Sequence, residues 1–393
     1  MIHVPLGKEP ETEGDQMSER AQTVRRQAQP RVRLALACGL IIAGLACSQE
    51  AAPTPPPAGP AKEASPQAGN EPVMRTIAAN GINLRIAEMG KGPLVIFLHG
   101  FPESWYSWRH QLPALAKAGY HAVAPDMRGY GKSDKPAAVE DYDIQHLTGD
   151  VVGLIDALGE KTAIVVGHDW GSIIAWNCLL LHPDRFTGLI PMSVPYGGRA
   201  EVSPLDTMKK NFGDNFFYIL YFQEPGVAEK EFDGDPRAFL SRLYLSPDSP
   251  RDKPEITDPK RVAGGWIPRM GASKGLPPWL TQADLDYYVN EFTGAGFRGG
   301  INYYRNFHKN WATTPQLAGA KIAQPVLFIA GAQDGVIRGA TAEQLTQTMS
   351  AVATDFRGAT LFPGAGHWVQ QERPEETNQA VIRFLNDVSK KRS

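Results

Sequence analysis

The chain has 393 residues, 42% of them hydrophobic and 21% charged, with a formal net charge of −2. Such a length holds roughly two domains of about 100–200 residues each, and the near-neutral charge excludes the polybasic surface that a nucleic-acid partner selects. Three cysteines, Cys38, Cys47 and Cys178, make no disulfide framework, and without a CxxC or HExxH spacing the sequence offers no metal site.

Residues 1–33 are polar and place Arg25, Arg26, Arg31 and Arg33 ahead of an apolar run at 34–46, LALACGLIIAGLA. That run is shorter than the roughly 20 apolar residues a membrane span needs. Basic residues, a short apolar core and a small-residue end have the layout of a secretory signal. Cys47 follows directly, and the segment resembles the lipobox of bacterial lipoproteins. The resemblance implies lipidation of Cys47 and secretion across a bacterial inner membrane, leaving a periplasmic or membrane-tethered protein. Gly44 departs from the Leu, Val or Ile usual in a lipobox, and Gly44 with Ala46 also suits ordinary signal cleavage. A later start, at Met17 or beyond, is the alternative to a leader beginning at Met1. Residues 51–72, AAPTPPPAGPAKEASPQAGNEP, are rich in Pro and Ala and lack bulky apolar side chains. Such a stretch stays extended, as a tether does. The expected linker is 48–73, and folding is expected from about Met74.

Beyond it, short apolar runs appear at 94–98 (LVIFL), 122–124 (AVA), 162–166 (TAIVV), 188–192, 326–330 (VLFIA) and 360–362. Strands apolar on both faces belong in a parallel sheet covered by helices. Residues 172–181 are apolar nearly all round, as a buried helix is, and 381–388 form an amphipathic closing helix. The pattern predicts an α/β fold with a mostly parallel, doubly wound sheet, built from 74–195 and 311–393. Between 196 and 310 the alternation stops and aromatic residues cluster, as at Phe216, Phe217, Tyr218, Tyr221 and Phe222. That stretch reads as an inserted helical lid.

The chemistry gathers at the ends of the apolar runs. Gly167-His168-Asp169-Trp170-Gly171 has the form of a nucleophile elbow, with Asp where hydrolases of this kind carry Ser. A plain helix cap needs no flanking glycines. A carboxylate is ionised at neutral pH and attacks without a base to activate it. His99-Gly100-Phe101-Pro102-Glu103 follows an early strand, where this fold places an oxyanion donor. The backbone N–H groups of Phe101 and Trp170 are the expected pair. Asp334 follows the VLFIA run, and His367 lies in a Gly-rich loop before the last helix. The order nucleophile, acid, histidine is that of the fold's triad. His367 is then the base and Asp334 its orienting partner. His168 is expected to point away from the elbow and serve structure.

These motifs resemble the epoxide hydrolases of the α/β-hydrolase fold, among them the hydrolase domain of soluble mammalian epoxide hydrolase. The resemblance runs from about Met74 to Asp387 through HGFPESWYSWRHQ (99–111), DMRGYGKSDKP (126–136), GHDWG (167–171), LYFQEPGVAE (220–229), FRGGINYYRN (297–306) and GHWVQQERPEE (366–376). It implies an epoxide and water as substrates, a vicinal diol as product and no cofactor or metal. It also implies two lid tyrosines, Tyr218 and Tyr304, that hydrogen-bond the epoxide oxygen, with Tyr221 and Tyr303 as packing neighbours. A haloalkane or haloacid dehalogenase shares the Asp-His-Asp set, but its usual Asn after His-Gly is here Phe101. A non-catalytic binding protein is the other alternative, and the intact triad speaks against it. The sequence leaves the oligomeric state open.

Overall fold

The computed structural model describes residues 71–390. The leader, Cys47 and most of the Pro/Ala-rich linker lie outside the described residues. Eight strands form one sheet: β1 (Val73–Ala79), β2 (Ile82–Met89), β3 (Leu94–Leu98), β4 (His121–Pro125), β5 (Ala163–His168), β6 (Phe186–Met192), β7 (Ile322–Gly331) and β8 (Ala353–Phe362). Their order across the sheet is β1-β2-β4-β3-β5-β6-β7-β8. β2 runs antiparallel to β1 and β4, and every pair from β4 to β8 is parallel.

The central strands are LVIFL in β3, AIVVGH in β5 and FTGLIPM in β6, with every residue buried. They lie between helices on both faces, so nothing in them needs to face water. The first hairpin was not foreseen, although its turn is written in the sequence. Asn80-Gly81 joins β1 to β2, with φ of 47° and 78°. That is the two-residue turn with positive φ at both positions that antiparallel strands favour. β8 is also longer than its 360–362 run suggested. It is an edge strand, ATDFRGATLF, whose polar positions mask the apolar signal.

Helices α1 (Gln111–Lys117), α2 (Ile144–Ala157) and α3 (Trp170–Leu181) follow early strands. The insertion between β6 and β7 holds α4 (Pro204–Phe212), α5 (Tyr218–Tyr221), α6 (Val227–Gly234), α7 (Pro236–Leu243), α8 (Gln282–Ala295), α9 (Arg298–Arg305) and α10 (Phe307–Thr313). After β7 come α11 (Ala342–Ser350), α12 (Val369–Glu372) and α13 (Pro374–Lys390). α13 buries Thr377, Ala380, Val381, Phe384, Leu385 and Val388 at helical spacing, an apolar stripe laid on the sheet.

The insertion is held to the sheet by close backbone approach and by buried polar contacts. A side chain at Gly299 would lie 2.3 Å from the Gly129 carbonyl, so α9 reaches the β4–α2 loop only because glycine stands there. Tyr303 donates to the Arg128 carbonyl at 2.8 Å. The Arg128 guanidinium is itself buried and bound twice by Asp150, at 2.6 and 2.7 Å. Arg85 on β2 pairs with both Asp126 and Glu291, tying α8 to the sheet.

Candidate active site

The turn from β5 into α3 places Asp169 at φ 52°, ψ −116°. An L-residue rarely takes that conformation, and it persists only where the surroundings enforce it. The enforcement is steric. A Cβ on Gly171 would sit 1.9 Å from the Leu98 carbonyl, and one on Gly167 would sit 2.1 Å from the Gly171 carbonyl. The helix therefore starts pressed against the end of β3. Gly100 presses back from the β3 loop, where a Cβ would meet the Asp169 side chain at 2.5 Å.

The Phe101 amide donates to Asp169 Oδ1 at 2.9 Å. Asp169 Oδ2 faces His367 Nε2 at 3.7 Å. The two carboxylate oxygens are thus different: one is held by a backbone donor and the other looks toward the imidazole. Trp170 supplies the first amide of α3, and Asp169 does not cap that helix through its side chain. The Phe101–Pro102 peptide bond is cis.

His367 Nδ1 lies 3.1 Å from both oxygens of Asp334. Asp334 is buried at the end of β7, and its Oδ1 accepts from the Val336 amide at 2.8 Å. A Cβ at Gly331 would strike the Gly366 and Ala365 carbonyls at 2.1 and 2.4 Å, so the acid loop and the histidine loop touch. Burial works against a charged imidazole, but Asp334 first and Asp169 next outweigh it and raise the His367 pKa to about 9. Burial likewise opposes the Asp334 carboxylate, yet His367 holds its pKa below the ordinary value.

His168 turns away from the elbow, as expected. Its Nδ1 lies 2.7 Å from Glu103 Oε2, and its Nε2 lies 2.7 Å from the His367 carbonyl. Sequence reasoning assigned no role to Glu103, which is fully buried. It also accepts from the Gly100 amide at 2.8 Å and from Gln370 at 2.9 Å. Burial disfavours this carboxylate, but His168 and the Gly100 amide bring its pKa down to about 2. Glu103 therefore ties the β3 loop, the elbow strand and the histidine loop together. Ser193 was missed as well; its hydroxyl donates to the same His367 carbonyl at 3.0 Å.

Two tyrosines of the insertion, Tyr218 on α5 and Tyr304 on α9, line one cavity with Asp169, together with Trp170, Ile219 and Phe307. Their rings are 5.7 Å apart, edge to face. Burial, and after it the Asp169 charge, raises the pKa of both phenols, so both stay protonated. Their neighbours are committed elsewhere. Tyr303 bonds the Arg128 carbonyl, and Tyr221 donates to Glu231 at 2.8 Å. Trp266, stacked on Tyr218 at 4.9 Å, was not singled out in the sequence.

Residues 93–374 match the family described as alpha/beta hydrolase fold. Epoxide hydrolase A of Mycobacterium tuberculosis is 47% identical over 322 residues, which cover 81% of this chain and 98% of that protein. The chain belongs to the epoxide hydrolases of the α/β-hydrolase fold. Bifunctional epoxide hydrolase 2 of Sus scrofa is 36% identical, over 78% of this chain and 53% of its own length. The crystal structure of epoxide hydrolase A from Mycobacterium thermoresistibile superposes with a TM-score of 0.74 at 48% identity, covering 80% of this chain and 98% of that one. Epoxide hydrolases of this family work without a cofactor, and the alkyl-ester route through Asp169 is the family's route.

The charge triangle makes a prediction. Asp169→Asn removes a negative charge beside His367 while keeping the side chain's shape. The His367 pKa then falls below the value of about 9 it has in the intact enzyme, as followed by NMR titration of the imidazole. An unchanged titration would show that Asp169 does not act on the ring.

Proposed function

We propose the following division of labour in epoxide hydrolysis. Asp169 Oδ2 attacks a carbon of the epoxide ring, and the C–O bond of the ring breaks. Tyr218 and Tyr304 donate to the oxygen as it becomes an alkoxide, and a proton from one phenol completes the hydroxyl. Asp169 Oδ1 becomes the carbonyl oxygen of the ester, already held by the Phe101 amide. His367, oriented by Asp334, takes a proton from water, and the hydroxide adds to the ester carbonyl carbon. Charge then gathers on Oδ1, where Phe101 N and Trp170 N receive it. The acyl–oxygen bond breaks, the proton of the added hydroxyl passes to the departing oxygen, His367 returns its proton to the tyrosinate, the diol leaves with Oδ2, and Asp169 is restored as a carboxylate with one oxygen from water.

The observation that carries this reading is the shared cavity. Asp169 and the two tyrosines line it together, while His367 Nε2 stands 3.7 Å from Oδ2. Nucleophile and base lie on the sheet and the proton donors on the insertion, which acts as the lid. The His367 charge also fits the sequence of steps. Before attack, two carboxylates favour the protonated ring. Alkylation neutralises Asp169, so the ring becomes easier to deprotonate when a base is needed.

The reading extends to location. The leader and Cys47 support export and lipidation in a bacterium, with the segment 48–73 as the tether between anchor and enzyme. This rests on the sequence of those residues alone. If it holds, the mature protein partitions into detergent and begins at a lipid-bearing Cys47, and Cys47→Ser removes the mass increment. A fully soluble mature protein with a free Cys47 thiol would leave ordinary secretion in its place.

Removing the base separates the two half-reactions. His367→Gln retains the nucleophile and lacks the proton acceptor, so epoxide accumulates as an ester on the peptide carrying Asp169, visible by intact mass. An adduct on any other residue, or none, would overturn the assignment.

The tyrosines are tested on the first half-reaction. A donor aimed at developing charge is typically worth about 10²–10³ in rate. Tyr218→Phe and Tyr304→Phe each slow single-turnover alkylation of Asp169, and the double variant loses more than either. Alkylation at the wild-type rate in the folded double variant would reduce both residues to packing.

A further inference from the structure

The Gly100 carbonyl and the Phe101 amide belong to one planar peptide unit and point in opposite directions, so whatever holds one end aims the other. The amide end meets Asp169 Oδ1 at 2.9 Å. The carbonyl end accepts from two donors, His99 Nδ1 at 2.9 Å and the Glu103 amide at 3.1 Å. The Glu103 amide lies within the turn itself, three residues on. His99 is anchored outside the turn. Its Nε2 lies 3.0 Å from the Met127 amide, in the loop that follows β4.

That second contact fixes the tautomer. A backbone amide only donates, so Nε2 is the acceptor and the ring proton sits on Nδ1, where it serves the Gly100 carbonyl. The imidazole is buried, and the Tyr130 ring packs on it edge to face with centroids 4.7 Å apart. Burial lowers the His99 pKa, in keeping with a neutral ring. The clamp has something to resist. A flip of the Gly100–Phe101 unit turns it between two Cα atoms and leaves the side chains in place, so the Phe222 and Tyr304 rings against Phe101 do not oppose it. Glycine at one end permits the new backbone angles. A flipped unit would turn its carbonyl oxygen toward the Asp169 carboxylate, and Oδ1 would lose its donor.

We infer that His99 is a positioning residue for cleavage of the ester: it holds the Gly100–Phe101 peptide so that the N–H points at Asp169 Oδ1 when charge gathers there. The inference rests on the reading of Asp169 as the residue that is alkylated. The effect falls unevenly on the two half-reactions. Oδ1 carries part of a charge in the free carboxylate, little in the ester and most of a full charge in the tetrahedral adduct with hydroxide. A donor aimed at it gains most between ester and adduct. Loss of the clamp therefore slows ester cleavage far more than alkylation.

Two variants divide the contacts of the imidazole. His99→Asn keeps a donor near the place of Nδ1 and gives up the acceptor for the Met127 amide. His99→Gln reaches toward Met127 with an amide oxygen and gives up the donor to Gly100. Each full-length protein is mixed in excess with styrene oxide or 1,2-epoxyhexane, whichever alkylates the wild type faster. The adduct on Asp169 is followed by acid quench and intact mass as it forms and decays. Unfolded chains form no adduct, so both rate constants report folded protein alone. In His99→Gln, decay of the adduct slows about 10²-fold, as for loss of one oxyanion donor, while its formation changes far less. In His99→Asn, decay stays much closer to the wild-type rate. Decay at the wild-type rate in His99→Gln overturns the inference. So do formation and decay slowed alike in both variants, which is the mark of a merely structural residue. A wild type that neither epoxide alkylates at Asp169 would instead overturn the reading of the catalytic site.

Discussion

The backbone at the elbow has no room for a side chain. Leu98 ends β3 with its carbonyl where a Cβ on Gly171 would have to be, and Gly100 lies where any substituent would meet Asp169. Everything catalytic depends on that closeness. It lifts the carboxylate clear of the sheet at a positive φ, and it brings the Phe101 amide within 2.9 Å of one of its oxygens. The unfavourable φ is maintained because four buried segments meet there: the β3 loop, β5, α3 and, through His168 and Glu103, the histidine loop. A less crowded turn would let Asp169 relax into an ordinary cap, and the two oxygens would lose their separate surroundings.

Electrostatics then distributes roles that sterics alone does not. Two carboxylates flank one imidazole, and their attraction exceeds the penalty of burying its charge. Burial raises the tyrosine pKa values in the same cavity. One low-dielectric environment thus keeps the phenols protonated and leaves the imidazole charge to its partners.

The cluster of Asp169, Asp334 and His367 was legible in the sequence because each member sits in a local glycine-rich turn, and such turns are written in consecutive residues: GHDWG, GAQD and GAGHW. The sheet was legible where strands are apolar on both faces. It was less so at its margins, where β1 is largely exposed and β8 is mostly half-buried. Tyr218 and Tyr304 were reached only through resemblance, since tyrosines in an aromatic cluster carry no mark that separates donors from packing. The separation is spatial: the Tyr303 hydroxyl meets a carbonyl of the sheet domain, and its neighbour Tyr304 lines the cavity with Asp169. Glu103 and Ser193 were unreadable for the same reason. Each acts through partners tens to hundreds of residues away, and a single polar residue in a loop has no periodicity to betray it.

The two cavity tyrosines come from the insertion, on α5 and α9, while Asp169, Asp334 and His367 all follow strands of the sheet. Under the proposed division of labour, the electrophile-handling half and the ester-cleaving half are encoded in separable stretches of chain. Substitutions accumulating in α5 and α9 alter which leaving groups can be accepted without touching the machinery that regenerates the carboxylate. A lineage can in this way trade one class of electrophile for another by remodelling a cover, while its hydrolytic core is inherited unchanged. Recombining insertions between relatives is the corresponding route for engineering, with Gly129, Gly299 and the Tyr303–Arg128 contact as the seam that any transplanted cover has to reproduce.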